Sequence, residues 1–573
     1  MKNQFVADVL YEIADLLDIK GDNFFKTRAY RIAAQAIEVL DEDIQTVVDE
    51  NRLHEISGVG DALAKKITEL VQTGKLQYLN ELTKEVPKEL LTMLRIQSLG
   101  PKKVASLYNN LGITTIRQLR QVCIEGKLRD LDGFGVISEL NILRGIELLE
   151  KTSGRALLNL AYQDGNNYLS YLKEHEKIDK ISLAGSLRRM KETIGDIDIL
   201  VASDSPDEVM NYFTKYPDVD HILSKGSTKT SVMLVDNLQV DLRVVKKKSF
   251  GAALQYFTGS KEHNVAMRSR AIKFGYKLNE YGLFGKDDDK FIAGETEQEI
   301  YQNLELSYIE PELRENNGEI SAAENHGLPQ LVGYDDIKGD FHIHSDWSDG
   351  ENSIHDIVLA AKNYGYDFVG ITDHSESLKV ANGLSCSRVE KKIKLIDEIN
   401  KKNPDITIYC GTECDIKADG SMDYPNEVLK KFDIVYAGIH TSFKMDESTA
   451  TKRIISAMEN EYVDVIAHPT CRMIGRRQPF SLDMPAIMQA AKQTNTFLEI
   501  NAFPDRLDLK DVHAKLAKDY GVKIVIGSDT HFIENLGFMR FGIATARRGW
   551  LEKKDILNTY SCPDIEKILG VGR

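Results

Sequence analysis

Apolar and polar positions change their spacing twice along this chain. Over residues 1–150, apolar residues recur every three or four positions, as in MKNQFVADVLYEIADLL, and predict amphipathic helices. Three similar breaks interrupt them: ISGVGDALAKKI (56–67), IQSLGPKKVASL (96–107) and LDGFGVISELNIL (131–143). Each is an apolar residue, a glycine turn and a new helical run. Over 154–245 the pattern becomes short runs rich in Val, Ile and Leu (KISLAG, DIDILVA, SVMLVD, LQVDLRVV), which predict strands of a sheet. Residues 246–315 mix both patterns, and the polar, Gly- and Pro-containing stretch 316–338 predicts a linker. From 339 onward seven apolar runs alternate with helical stretches: GDFHIHS, FVGITDHS, ITIYCGTECD, FDIVYAGIHTS, VDVIAHPT, FLEINAF and VKIVIGSDTH. Such alternation predicts a parallel sheet or barrel. The expected organisation is multidomain, α+β followed by α/β. It comprises helical regions 1–90 and 91–153, a sheet domain 154–245, a mixed subdomain 246–315, the linker 316–338, and a βα domain 339–573.

Composition narrows this picture. A chain of 573 residues exceeds one hydrophobic core and suggests roughly three to five domains. A hydrophobic content of 42% and a charged content of 28% suit an ordinary globular protein. No apolar run of about 18 residues predicts a membrane helix, and the first residues lack the pattern of a signal peptide. Six cysteines without a CxxC pair suit a reducing cytoplasm, the expected location. The net charge of −15 argues against a uniformly basic nucleic-acid binder. Residues 221–280, however, hold eleven Lys/Arg against four Asp/Glu, compatible with a groove that faces DNA.

Candidate chemistry falls in three places. The glycines of the three turns (Gly58 and Gly60, Gly100, Gly133 and Gly135) leave backbone N–H groups open at helix N-termini, which suits a phosphate. Ordinary helix–helix turns would look the same one at a time. The second place is GSLRRMKETIGDIDILV (185–201), followed by VDLRVV (240–245). Asp196 and Asp198 alternate on one strand and share a face, and Asp241 on another strand can complete a carboxylate cluster. Such oxygen donors suit Mg2+, and two ions could clamp the attacking and leaving oxygens of a phosphoryl transfer. Gly185, Ser186 and Arg189 offer donors for a triphosphate. A solvated acidic strand end is the plainer reading of D-x-D alone.

The third place is the βα region. Eight of the thirteen histidines lie between 342 and 531. His342 and His344 share a strand face, and Asp349 follows in the next loop. Later strand ends supply Asp373 and His374, Glu413, His440, His468, Asn501, Asp529 and His531. C-terminal strand ends of a parallel barrel converge at one mouth. Mixed imidazole and carboxylate ligands suit Zn2+, Mn2+ or Fe2+ rather than Mg2+ alone. His355 and His513 sit in helical patterns and read as surface or capping residues. Arg472, Arg476 and Arg477 in HPTCRMIGRR could grip a phosphate, or form an ordinary basic loop.

With YFTGSKEHNVAMRSRA (256–271) added to these motifs, residues 1–315 resemble the bacterial family X DNA polymerases, and the glycine turns resemble helix-hairpin-helix motifs. The resemblance implies a nucleotidyltransferase palm and thumb, with Asp196, Asp198 and Asp241 holding Mg2+ for catalysis. It places Gly185, Ser186, Arg189, Tyr256, Phe257, Gly259, Asn264 and Arg268 around the incoming nucleotide and template. Arg243 and Glu280 match positions that switch between open and closed forms. Lys261 and Val265 stand where animal relatives carry other residues. Lys66 matches a Schiff-base lysine that removes 5′-deoxyribose phosphate, although Ala62 replaces a companion basic residue and a phosphate-facing lysine reads equally as a simple cation.

The motifs H-x-H…D, TDH, G-x-E-x-D, GIH, AHP and SDTH resemble the polymerase-and-histidinol-phosphatase (PHP) domain, a distorted seven-stranded β/α barrel with three metal ions. That resemblance implies one Mn2+ or Zn2+ ion at His342, His344, Glu413 and Asp529. It implies a second at Glu413, His440 and His468, and a third at Asp349, His374 and His531. Together the resemblances imply a monomeric repair polymerase that fills short gaps by the base-excision route. Its substrates would be gapped or primed DNA and deoxynucleoside triphosphates, with no membrane partner. The barrel would add a 3′–5′ exonuclease and abasic-site cleavage. The alternatives are a non-polymerase nucleotidyltransferase fused to a small-phosphoester phosphatase, or a non-catalytic DNA scaffold.

Overall fold

A computed structural model describes residues 3–570, apart from 39, 41–42, 57, 95, 97–98, 132 and 153 and the side chains of 4, 38, 130, 137, 144 and 147–152. Ser57, Gln97, Ser98 and Asp132 of the glycine turns therefore lie outside the described residues. The chain divides into two compact units, Met1–Ser153 with Met473–Gln478, and Gly154–Arg472 with Pro479–Arg573.

The first unit is helical around one apolar core. Gly58 and Gly133 take φ of +78° and +79°, a left-handed backbone that favours glycine. The helices Asp61–Thr73 and Pro101–Leu111 then start from Gly60 and Gly100, neither of which caps its helix through a side chain. Among the described residues, no side chain caps the backbone N–H groups at these two N-termini.

The second unit carries two large sheets. Five strands lie in the order Lys180–Leu183, Asp196–Ala202, Gln239–Val245, Lys229–Leu234 and Val219–Lys225. Only the Asp196 and Gln239 strands pair in parallel, in a register that sets Asp198 opposite Asp241. A three-stranded sheet at Tyr276–Asn279, Gly282–Gly285 and Phe291–Ala293 packs with the helices Phe250–Thr258 and Lys261–Lys273. Glu297 anchors this part. Arg188 donates to both its oxygens (2.9 and 2.6 Å), and the fully buried Arg314 donates to one (2.5 Å). Burial opposes the charge of Glu297, but the two guanidinium groups outweigh it and pull its value down to about 2.

Seven parallel strands then run in chain order from Gly339–Ile343 to Ile524–Gly527. A parallel bridge between Ile343 and Thr530 brings the first strand beside the last, so the sheet nearly closes into a barrel. The expected linker, 316–338, is packed rather than extended. Glu319 is buried and accepts from Asn316 N and Asn317 N while facing His263 Nδ1 at 2.7 Å, and Val332 N donates to Leu551 O. Further polar contacts tie the barrel to the preceding domain. Arg548 is half-buried, donates to Arg189 O (3.0 Å) and Glu315 (3.2 Å), and pairs with Asp511. Arg547 Nε donates to Glu312 at 2.7 Å. No helix among the described residues is long and apolar enough to cross a membrane.

Two candidate metal centres

The first centre stands where the two parallel strands meet. Asp196, Asp198 and Asp241 each offer an oxygen within 4.8 Å of the others. Burial, then the charges of Asp196 and Asp241, push Asp198 up to about 7. Burial also raises Asp241. Hydrogen bonds from Lys229 (2.5 Å), Ser231 and Gln239 (2.8 Å) outweigh it and leave Asp241 below its ordinary value. Three converging carboxylates with one lysine between them carry excess negative charge, and a divalent cation would relieve it. Gly185 has φ +62°, and a Cβ there would overlap the Asp198 carboxylate, so glycine is required where the Gly185–Ser186 turn meets the triad.

The other residues named around this centre are placed as follows. Arg189 Nε donates to Glu315 (3.0 Å) and Nη1 to Thr258 O. A Cβ on Gly259 would lie 3.2 Å from that Nη1. Tyr256 and Phe257 meet edge to face at 5.1 Å, with the Arg243 guanidinium 4.2 Å over Phe257. Asn264 is buried, accepts from Gln255 and donates to Tyr256 O, so its amide is satisfied internally. Arg268 is exposed, and Glu280 is half-buried. In the helical unit, Lys66 Nζ lies 4.2 Å over the Tyr78 ring and 5.5 Å over Tyr30. Burial, then the charge of Lys26, lowers its value.

The second centre lies at the C-terminal strand ends of the barrel. Three groups of side chains converge: His342, His344 and Asp529; His374, Glu413 and His440; and His344, Asp349, His374 and His531. His468 Nε2 joins them 2.9 Å from Glu413 Oε1. The nine residues expected here therefore meet in one cluster, with the buried Glu413 at its middle and Asp349 at its exposed edge. Close approach needs Gly438, whose Cβ would sit 2.7 Å from both Glu413 Oε1 and His440 Cε1. His468 and Asp529 hold φ of +27° and +56°. Such conformations cost of order 1–3 kcal/mol each in non-glycine residues and persist where surrounding structure fixes them.

Outer partners orient the imidazoles. Glu499 Oε1 lies 2.5 Å from His342 Nδ1, Asp415 Oδ1 lies 2.5 Å from His440 Nδ1, and Asp529 O lies 2.8 Å from His531 Nδ1. In each case the other ring nitrogen faces the cluster, an arrangement typical of metal-bound histidine. Glu499 was not legible as a site residue. The available signal was its position two residues before Asn501 on the same strand face. Asn501 itself donates to Asp529 Oδ2 at 3.0 Å.

Electrostatics divide the ligands. Burial holds His374 down at about 3 and His468 at about 4, which keeps both neutral. Burial also lowers His440 and His531, but facing carboxylates outweigh it and raise them to about 10 and about 9. Burial raises Glu413 and Asp529, yet the surrounding imidazoles hold both well below the usual carboxylate range. The cluster fits metal ions on a direct observation. His342 Nε2, both ring nitrogens of His344, His374 Nδ1 and Glu413 Oε1 are buried without a hydrogen-bond partner. His440 Nε2 approaches Glu413 Oε1 to 3.0 Å, and His468 Nε2 to 2.9 Å, without hydrogen-bond alignment. So many unsatisfied lone pairs around one point would be costly unless a cation took them.

The arginines of the loop after His468 differ from expectation. Arg472 spends its guanidinium on Arg506 O (2.7 Å), Leu507 O (2.5 Å) and Glu192 (2.9 Å), so it braces a loop instead of presenting a free fork to phosphate. Arg476 and Arg477 sit on the hairpin Met473–Gln478, which is grouped with the helical unit rather than with the barrel. The cation beside the cluster is Arg506, whose Nε lies 3.5 Å from Asp529 Oδ2.

Comparison with known proteins fits this geometry. The chain is 39% identical over 571 residues, covering 99% of both sequences, to the DNA polymerase/3'-5' exonuclease PolX of Bacillus subtilis (strain 168). It belongs to the family X DNA polymerases that carry a PHP domain. Residues 253–315 match the DNA polymerase beta thumb, 340–503 the PHP domain, 1–76 a helix-hairpin-helix domain, and 90–147 a SAM-like helix-hairpin-helix tandem. The architecture is thus that of a family X polymerase with a C-terminal PHP barrel. A probable phosphatase of Shewanella sediminis (strain HAW-EB3) is 28% identical over 217 residues, 36% of this chain and 83% of its own length. A probable phosphatase of Thermoanaerobacter sp. (strain X514) is 30% identical over 214 residues, 36% of this chain and 81% of its own length.

Proposed function

We propose that this chain is a DNA-directed DNA polymerase that fills short gaps in base-excision-type repair, with a metal-dependent 3′–5′ exonuclease in its barrel. The observation that carries the reading is the pair of separate metal-fitting clusters, in a chain similar from end to end to a DNA polymerase/3'-5' exonuclease.

In the polymerase centre Asp196, Asp198 and Asp241 would hold Mg2+, which neutralises phosphate charge and favours an oxygen nucleophile. Ser186 and the Gly185 backbone bind the triphosphate, together with Arg189. Tyr256, Phe257 and Gly259 line the sugar, while Asn264 and Arg268 face base and template. In the barrel, His342, His344, Asp349, His374, Glu413, His440, His468, Asp529 and His531 would hold about three ions. Mn2+ or Zn2+ suits this ligand set better than Mg2+. The barrel's likeness to probable phosphatases supports removal of blocking phosphates from 3′ ends, and abasic-site cleavage belongs to the same hydrolytic chemistry.

The bare helix N-termini after Gly60 and Gly100, with the turn at Gly133 and Gly135, hold DNA phosphates without reading sequence. The lowered value of Lys66 favours the neutral amine that a Schiff-base lyase needs. The protein works as a cytoplasmic monomer on gapped or primed DNA. Primer extension on a one-nucleotide gap tests the reading: template-directed incorporation with Mg2+ or Mn2+ is expected, and no incorporation with either would overturn it.

A further inference from the structure

We infer that Arg506 is a substrate-binding residue of the barrel centre, where its guanidinium clasps the scissile phosphate of a DNA 3′ end. The inference rests on the exonuclease reading above. Arg506 follows the Phe497–Asn501 strand in the loop PDRLDL, outside every motif that points to the metal cluster.

Among the described residues, Arg506 is the one Lys or Arg within ion-pair distance of a cluster ligand. That contact is loose: Nε stands 3.5 Å from Asp529 Oδ2, which already accepts from Asn501 at 3.0 Å. An arginine that served only as counter-ion would be expected to close on the carboxylate in a fork at about 2.7–2.9 Å. Instead the two Nη groups have no partner among the described residues, although the side chain is only 21% exposed. They form the edge that matches two phosphate oxygens.

The backbone beneath is built to hold this pose. Arg472 donates to Arg506 O and Leu507 O. Asn501 and Asp508 exchange backbone hydrogen bonds, and the buried Asp508 carboxylate accepts from Thr470 N and Oγ1 at 3.0 and 2.9 Å. Leu507 is held at φ +43°, an unfavourable conformation for a leucine, which these bonds enforce.

The reaction explains why a cation is needed here. A water oxygen bonds to phosphorus as the bond from phosphorus to the O3′ of the preceding nucleotide breaks. One water proton passes to that O3′, and the other stays with the released 5′-monophosphate. Negative charge grows on the non-bridging oxygens beside Asp349, Glu413 and Asp529. A fixed guanidinium with two free donors offsets that charge where it develops.

The test uses the full-length protein and its variants Arg506→Ala and Arg506→Lys, assayed on 3′-recessed DNA with Mn2+, with retained metal measured in parallel. Arg506→Ala is expected to slow digestion by ~10²–10³-fold while keeping the metal content and gap filling of the native protein. Added guanidinium should partly restore Arg506→Ala and leave the native rate unchanged, and Arg506→Lys should fall between. Digestion by Arg506→Ala within about threefold of the native rate would overturn the inference, that loss being far below what one oxyanion donor contributes. Loss of metal from the alanine variant would also overturn it, because Arg506 would then merely balance Asp529. Failure of the native protein to digest any 3′ end would instead refute the exonuclease reading itself.

Discussion

The two metal-fitting centres solve the same problem in opposite ways. The palm centre gathers three carboxylates, and burial, then the charges of Asp196 and Asp241, push Asp198 up to about 7, while Lys229 pairs with Asp241. The barrel centre mixes six imidazoles with three carboxylates, most of them buried, and Glu413 and His440 each hold the other's charge in place. On the proposed function, the first would receive cations that arrive with a triphosphate. The second, with its imidazoles held by outer partners, would keep its ions. Repulsion left open suits ions that come and go with substrate, and compensation locked in by oriented partners suits resident ions.

The largest effects should come from emptying one centre at a time. Asp198→Ala should lower gap filling by on the order of 10³-fold or more and spare 3′ digestion; His344→Ala should do the reverse. Loss of both activities from either change would end the claim of independence. A smaller effect is expected one layer out. Glu499→Gln removes the carboxylate that orients His342, and should cost about 10–100-fold in barrel metal affinity or digestion. Titration with Mn2+ would show it as a shifted midpoint, and an unshifted midpoint would mean that His342 needs no orienting partner.

The third prediction concerns charge compensation without metal. Glu297 pairs with Arg188 and the buried Arg314, and its folded value lies at about 2 against an ordinary 4.5. A depressed carboxylate stabilises fully above its unfolded value and loses that contribution as pH falls through the folded one. Glu297→Gln should therefore destabilise the second unit by about 3 kcal/mol at pH 7. The gap to the native protein should narrow between pH 5 and pH 2. Urea unfolding at several pH values would measure it, and a gap independent of pH would refute the linkage.

Much of this arrangement was legible before any coordinates. Period-two alternation put His342 with His344 and Asp196 with Asp198, and parallel strand order made distant strand ends converge. What escaped depends on which partner a side chain meets. Arg472 reads as a phosphate grip because its sequence neighbours are basic, yet its guanidinium is taken by the carbonyls of 506 and 507. Arg506 is not legible because nothing local marks it; Arg472 and Thr470, from the loop after His468, fix the place of its turn. Glu499 is not legible in the sequence because a buried strand carboxylate reveals its role only beside His342. Residues 316–338 are polar enough to suggest a tether, but the buried Glu319 and the Val332 backbone bond pack them.

The most direct test of the contrast is the metal content of the native protein, Asp198→Ala and His344→Ala after gel filtration in metal-free buffer. The native protein and Asp198→Ala should retain the same complement of about three ions per chain, and His344→Ala markedly less. Native protein that emerges without bound metal, or an Asp198→Ala variant that loses as much as His344→Ala, would contradict the view of one resident and one substrate-borne centre.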